Sequence, residues 1–100
     1  MLPIALLSPA EIGALLAERL RRRRLDANLT RDGLASRAGV SPASLKRFER
    51  TGAASLEAVV RIAIALDAAE DFAGLFAERA TPSIDSVLAK SKKRMRGRAA

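Results

Sequence analysis

The sequence predicts an all-α domain of five helices. Three observations predict it. Ala, Leu and Arg dominate the chain, and all three are strong helix formers. The only aromatic residues are three Phe, fewer than a β-sandwich or barrel asks for. Finally, Ser or Thr recurs just ahead of a proline, an acid or an apolar run, which is how helices start.

The first helix opens at Ser8-Pro9-Ala10-Glu11. Ser8 is a cap, Pro9 suits the first helical position, and Glu11 completes a capping box. Leu7 and Ile12 occupy the two positions of a hydrophobic staple. The helix should run to about residue 27, with Ile12, Leu15, Leu16 and Leu20 as its apolar stripe. The run Arg21 to Arg24 covers a full turn, so these four cannot all face one surface. Asn28 tolerates the left-handed conformation that ends a helix, and Leu29 is placed to plug the core.

Thr30 caps a short second helix over about 31–38, with Asp32 in its first turn to complement the helix dipole. Leu34, Ala35 and Ala38 are its buried side. Gly39 supplies the positive φ of a tight turn, and Val40 pins that turn from below. Ser41-Pro42 restarts a third helix, about 42–50, held on the core by Leu45 and Phe48. Residues 51–54 form a loop. Ser55 caps a fourth helix with Leu56, Val59, Val60, Ala63 and Leu66 on its core side. Asp67 and Ala68 break it. A fifth helix is expected over about 69–78, with Phe72, Leu75 and Phe76 on one face and Glu70, Asp71 and Glu78 elsewhere. After the break at Thr81-Pro82-Ser83, Ile84, Val87 and Leu88 give a short amphipathic stripe. The organisation is therefore a domain over 1–80, an amphipathic segment over 81–89 and a disordered basic tail over 90–100.

The net charge of +7 is unevenly spread. Residues 19–50 carry ten Lys/Arg against three Asp/Glu, residues 51–89 two against six, and residues 90–100 six against none. A basic zone attracts phosphate and releases counterions whatever the base sequence. There is no Cys and no His, which removes disulfides, thiolate metal sites and the commonest general base. No catalytic residue, metal site or cofactor is expected. The apolar opening MLPIALL is too short for a membrane span and lacks a basic leader region, so a cytoplasmic protein with no membrane partner is expected.

Two short helices joined by a tight glycine turn make a helix-turn-helix signature. Here it reads TRDGLASRAGVSPASLKRFER. Ala35 and Ala38 are small where two helices must cross, and Leu45 and Phe48 leave the opposite side of the third helix free to enter a groove.

This stretch resembles the XRE family of regulators, with its phage-repressor-like fold. The resemblance spans about residues 16–68. It rests on Leu29-Thr30, Leu34-Ala35, Ala38-Gly39-Val40-Ser41, Arg47-Phe48-Glu49, Ser55-Leu56-Glu57, and Ile62-Ala63 with Leu66. It implies sequence-specific binding of double-stranded DNA as a transcription regulator, most simply a repressor. The family often has Gln at the start of the second helix, touching phosphate and bracing the recognition helix. Arg31 stands there, which implies a phosphate contact without the bracing amide. The loop Arg50-Thr51-Gly52-Ala53-Ala54 lacks the common Asn-Gly exit. That loop, the acidic stretch after residue 68 and the Ser-Ile-Asp-Ser-Val-Leu segment resemble HipB-like antitoxins, which implies a HipA-like kinase toxin as partner and autoregulation of a shared operon. A stand-alone regulator is the alternative.

Residues near the start and outer face of the third helix should read the major groove. Of Ser41, Pro42, Ala43, Ser44 and Arg47, the best base reader is Arg47, because a guanidinium grips guanine O6 and N7 together. Ala43 offers a methyl, and Ser44 a hydroxyl. Thr30, Arg31, Ser41, Lys46, Arg50 and Thr51 are the candidate phosphate contacts. Glu49 stands at a family position usually buried against the first helix, which implies a structural ion pair with Arg24. One recognition helix covers few base pairs, so a homodimer on a palindromic operator is expected. The surplus apolar residues of the fifth helix and of 84–88 would either form its interface or pack within the chain. The tail Lys90 to Arg98 would add non-specific DNA affinity, contact a partner protein or serve solubility alone.

Overall fold

The computed structural model describes residues 3–79 of the 100-residue chain. Within them are four α-helices: α1 (Pro9–Asp26), α2 (Arg31–Ala38), α3 (Pro42–Thr51) and α4 (Leu56–Ala65). Single 3-10 turns lie at Ile4–Leu6 and Ala69–Phe72, and there is no strand among the described residues. The amphipathic segment expected over 81–89 and the tail over 90–100 lie outside the described residues.

Each α-helix begins on a side-chain cap. The Ser8 hydroxyl accepts from Glu11 N while the Glu11 carboxylate accepts from Ser8 N, closing a capping box. Hydrogen bonding to the carboxylate from the Ser8 backbone N–H, and then from the Ser8 hydroxyl, holds the exposed Glu11 carboxyl below the ordinary carboxylate range. Thr30, Ser41 and Ser55 accept in the same way from Gly33 N, Ser44 N and Ala58 N. Replacing such a cap by Ala costs about 1 kcal/mol. Ser55→Ala should therefore lower the unfolding free energy of the protein by about that much, read from its urea midpoint.

The helices end where the backbone turns left-handed. Asn28 (φ 56°) follows α1, Gly39 (φ 69°) closes α2 and Gly52 (φ 79°) closes α3. A buried cluster then joins all four helices. It comprises Ala17, Leu34, Ala35, Ala38, Leu45, Phe48, Ile62 and Leu66, with Leu20, Leu29, Val40 and Val59 packed against it. The α2 and α3 side chains sit in the core as their spacing predicts.

Three expectations need correction. The first concerns α1, whose inward stripe includes Gly13, Ala17, Leu20 and Arg24, while Leu16 is 41% exposed. Large apolar residues mark a helix face only when the neighbour stands off, and α3 comes in too close for that. An added Cβ on Gly13 would lie 2.9 Å from the Gly52 carbonyl oxygen. Second, Leu56 at the start of α4 is exposed, and the core stripe is Val59, Ile62, Ala63 and Leu66, at i, i+3, i+4 and i+7. Third, residues 69–78 do not form a fifth α-helix. After the 3-10 turn, the chain continues as a turn through Phe76, whose φ is 56°. Gly74 lowers helix propensity at the centre of this stretch. Phe72 is half-buried, Leu75 is half-exposed, and Phe76 is 96% exposed, so the three do not share a packed face.

Candidate nucleic-acid interface

Helices α2 and α3 are joined by Gly39, Val40 and Ser41. The turn is tied down by Val40 N donating to Ala35 O (3.1 Å) and by Gly39 N donating back to the last turn of α2. Leu45 and Phe48, 1% and 2% exposed, fix the rotation of α3 about its axis. That rotation leaves Ala43, Ser44, Lys46, Arg47 and Arg50 exposed.

Several hydroxyls on this face are committed within the chain. Ser41 Oγ accepts from Ser44 N and donates to Ser44 Oγ at 2.8 Å. The proton left over belongs to Ser44. Thr51 Oγ1 donates to the Arg47 carbonyl (2.7 Å) and accepts from Ala53 N, so Thr51 caps the end of α3. In this structure its proton is engaged within the chain. The Thr30 hydroxyl accepts from Gly33 N and keeps its own proton.

Behind the outer face lies an ionic knot. Arg24 grips Glu49 with a fork: Nε donates to Oε2 at 2.8 Å and Nη2 to Oε1 at 3.1 Å. Its third arm, Nη1, donates to the Leu29 carbonyl at 2.9 Å. The two side chains are 8% and 3% exposed. Glu49 also accepts from Arg31 Nε at 2.9 Å, a partner that reading the sequence missed. Burial raises the Glu49 carboxyl's pKa, but the hydrogen bonds from Arg24 and Arg31 and their charges outweigh it, so it lies below the ordinary carboxylate value. The knot joins α1, the loop after it, α2 and α3. Beside it, Arg24, Thr30, Arg31, Asp32, Pro42 and Lys46 line an open depression of about 540 Å3.

The ion pairs sort the basic residues into two classes. On α1, Arg21 and Arg22 approach Glu18, each at 3.6 Å, and Arg23 meets Asp71 at 3.1 Å. Arg24 and Arg31 share Glu49, and Arg61 pairs with Glu57. On α3, Lys46, Arg47 and Arg50 have no ion-pair partner among the described residues; nor has Arg37 at the end of α2. The Arg run of α1 is thus largely neutralised or turned inward. Three of the unpaired cations lie on the helix whose apolar side is sunk into the core; Arg19 on α1 and Arg79 also have no ion-pair partner among the described residues.

A family model described as a helix-turn-helix domain matches residues 15–73. The chain belongs to this helix-turn-helix family. Curated proteins contain no match to it. The matched span begins inside α1 and ends just after the 3-10 turn, so it takes in the whole helical core. In a helix-turn-helix domain the second helix of the pair lies in the major groove while the first crosses the backbone. Here those are α3 and α2, and the family assigns the chain a DNA-binding role. No helix among the described residues is long and apolar enough to cross a membrane.

Proposed function

We propose that this chain is a sequence-specific regulator of transcription, a repressor, that reads double-stranded DNA by inserting α3 in the major groove. The observation that supports it is the charge partition: the exposed cations of α3 are unpaired whereas most of those on α1 are not. Arg47, one turn on from Ala43 and Ser44, is the base reader. Ala43 offers its methyl to a thymine methyl, and Ser44 its remaining proton. Lys46 and Arg50 flank them at i and i+4 and contact phosphate, together with Thr30, Arg31 and the Ser41 end of α3. Thr51 closes the helix beside them.

The protein acts in the cytoplasm as a homodimer on a palindromic operator, because one helix spans too few base pairs for useful specificity. The antitoxin role, with a HipA-like kinase toxin as partner, is supported by resemblance in the 50–54 loop and the 83–88 segment. Co-purification of a kinase-like protein with the chain tests it; a chain that co-purifies with no such partner is a stand-alone regulator.

Selection of bound duplexes from a random DNA pool tests the main reading. A defined, two-fold symmetric sequence is the expected result. Recovery of unrelated sequences at moderate salt would overturn it. On the selected duplex, Arg47→Ala should cost about 1–3 kcal/mol of discrimination at one base pair, while affinity for random-sequence duplex falls far less. An equal loss on both would make Arg47 a phosphate contact.

A further inference from the structure

Arg31 and Glu49 are 18 residues apart, on different helices, yet they meet at 2.9 Å. The geometry is asymmetric. Glu49 is almost fully buried and already held by the Arg24 fork, so its position is fixed. Arg31 is 48% exposed and is held only through Nε. Its Nη1 and Nη2 have no hydrogen-bond partner among the described residues. Arg31 lines the depression together with Thr30 and Lys46, and Asp32 is the one acid among its lining residues. A guanidinium is a planar fork with five donors, so it can be steered by one edge and bind an anion with the other.

We propose that Glu49 is the positioning residue for Arg31: it takes the Nε edge, directs the Nη edge at a DNA backbone phosphate, and so ties that contact to the seating of α3. This inference rests on the DNA-binding reading above. Glu49 never touches DNA. It belongs to the same helix as Arg47, so a phosphate held by Arg31 fixes how deeply that helix enters the groove. The pair also relieves a conflict. Without Glu49, two guanidinium groups would stand together at the knot. With it, the Arg24 charge is cancelled internally and the Arg31 charge remains available outward.

The test is a double-mutant cycle on DNA affinity, using the duplex selected from the random pool and a salt series, with thermal melting of each variant recorded alongside. Arg31→Gln should lower affinity about tenfold and the slope of log affinity against log salt by about 0.9, the loss of one phosphate contact. Glu49→Gln should lower affinity in the native background and have little further effect once Arg31 is Gln. It should lower the melting temperature in both, because Arg24 is affected in both. Equal affinity losses in the two backgrounds would overturn the inference and make Glu49 a purely structural group. Should Glu49→Gln fail to fold, Arg31→Lys decides. Lys keeps the charge but has no second edge, so it should restore the salt slope and not the affinity; full recovery of both would overturn the positioning role. If the native protein itself prefers no duplex, it is the DNA-binding reading that fails.

Discussion

Gly52→Ala should destabilise the protein by about 2–5 kcal/mol, the sum of left-handed backbone strain and overpacking. Gly52 adopts φ 79°, and an added Cβ would lie 2.5 Å from both the Ala14 nitrogen and the Gly13 carbonyl carbon. Those are backbone atoms of α1 and cannot step aside as a flexible side chain can. A chain of this size has a total stability of roughly 5–15 kcal/mol, so much of the population could unfold at moderate temperature. The other glycines calibrate the effect. Gly13→Ala clashes with one backbone atom, the Gly52 carbonyl oxygen at 2.9 Å, and gains helix propensity, so its loss should be smaller. Gly74→Ala meets nothing within 4 Å and should be neutral or slightly stabilising. Urea unfolding of the three variants measures the order. A Gly52→Ala protein with the native midpoint would show that α1 and α3 do not approach so closely.

Glu49→Ala should cost about 3–5 kcal/mol, because removing one member of a buried ion pair strands the other. Arg24, 8% exposed at its side chain, would keep only the Leu29 carbonyl. Replacing both buried partners, Arg24→Met with Glu49→Leu, should recover most of that loss. The charge also makes stability depend on pH. The Glu49 carboxyl is lowered from its ordinary 4.5 in the folded protein, so the unfolded chain binds the proton more readily. Its contribution is therefore complete above about 4.5 and is lost as pH falls through the lowered folded value. The native protein should weaken across that acid window, and Glu49→Ala should weaken less steeply there. Parallel acid profiles for the two proteins would mean that Glu49 is not held ionised by its arginines.

Local signals were legible in the sequence. Ser8, Thr30, Ser41 and Ser55 each sit where a helix begins, since a cap is a contact across three residues and needs no tertiary information. The bounds of α2 and the buried side of α3 follow from spacing alone. What stayed hidden depends on approach between distant segments. A glycine in the middle of α1 carries a propensity cost, and that cost hints at a packing reason; only the fold shows the reason to be the α3 terminus. Spacing shows that Arg21 to Arg24 cannot all face one surface, but only the fold shows that Arg23 meets Asp71, 48 residues away. Arg31 reads as a phosphate contact lacking a brace, yet Glu49, 18 residues on, supplies one. The apolar triple Phe72, Leu75 and Phe76 has helical spacing, but the left-handed residue at Phe76 and Gly74 before it keep the stretch a turn.

The account turns on which helix carries the usable positive charge. Amide chemical shifts recorded while the selected duplex is titrated into the protein measure this most directly. The largest changes should fall on residues 41–51 and the start of α2. A response centred instead on Arg19–Arg23 of α1, with α3 unmoved, would contradict it.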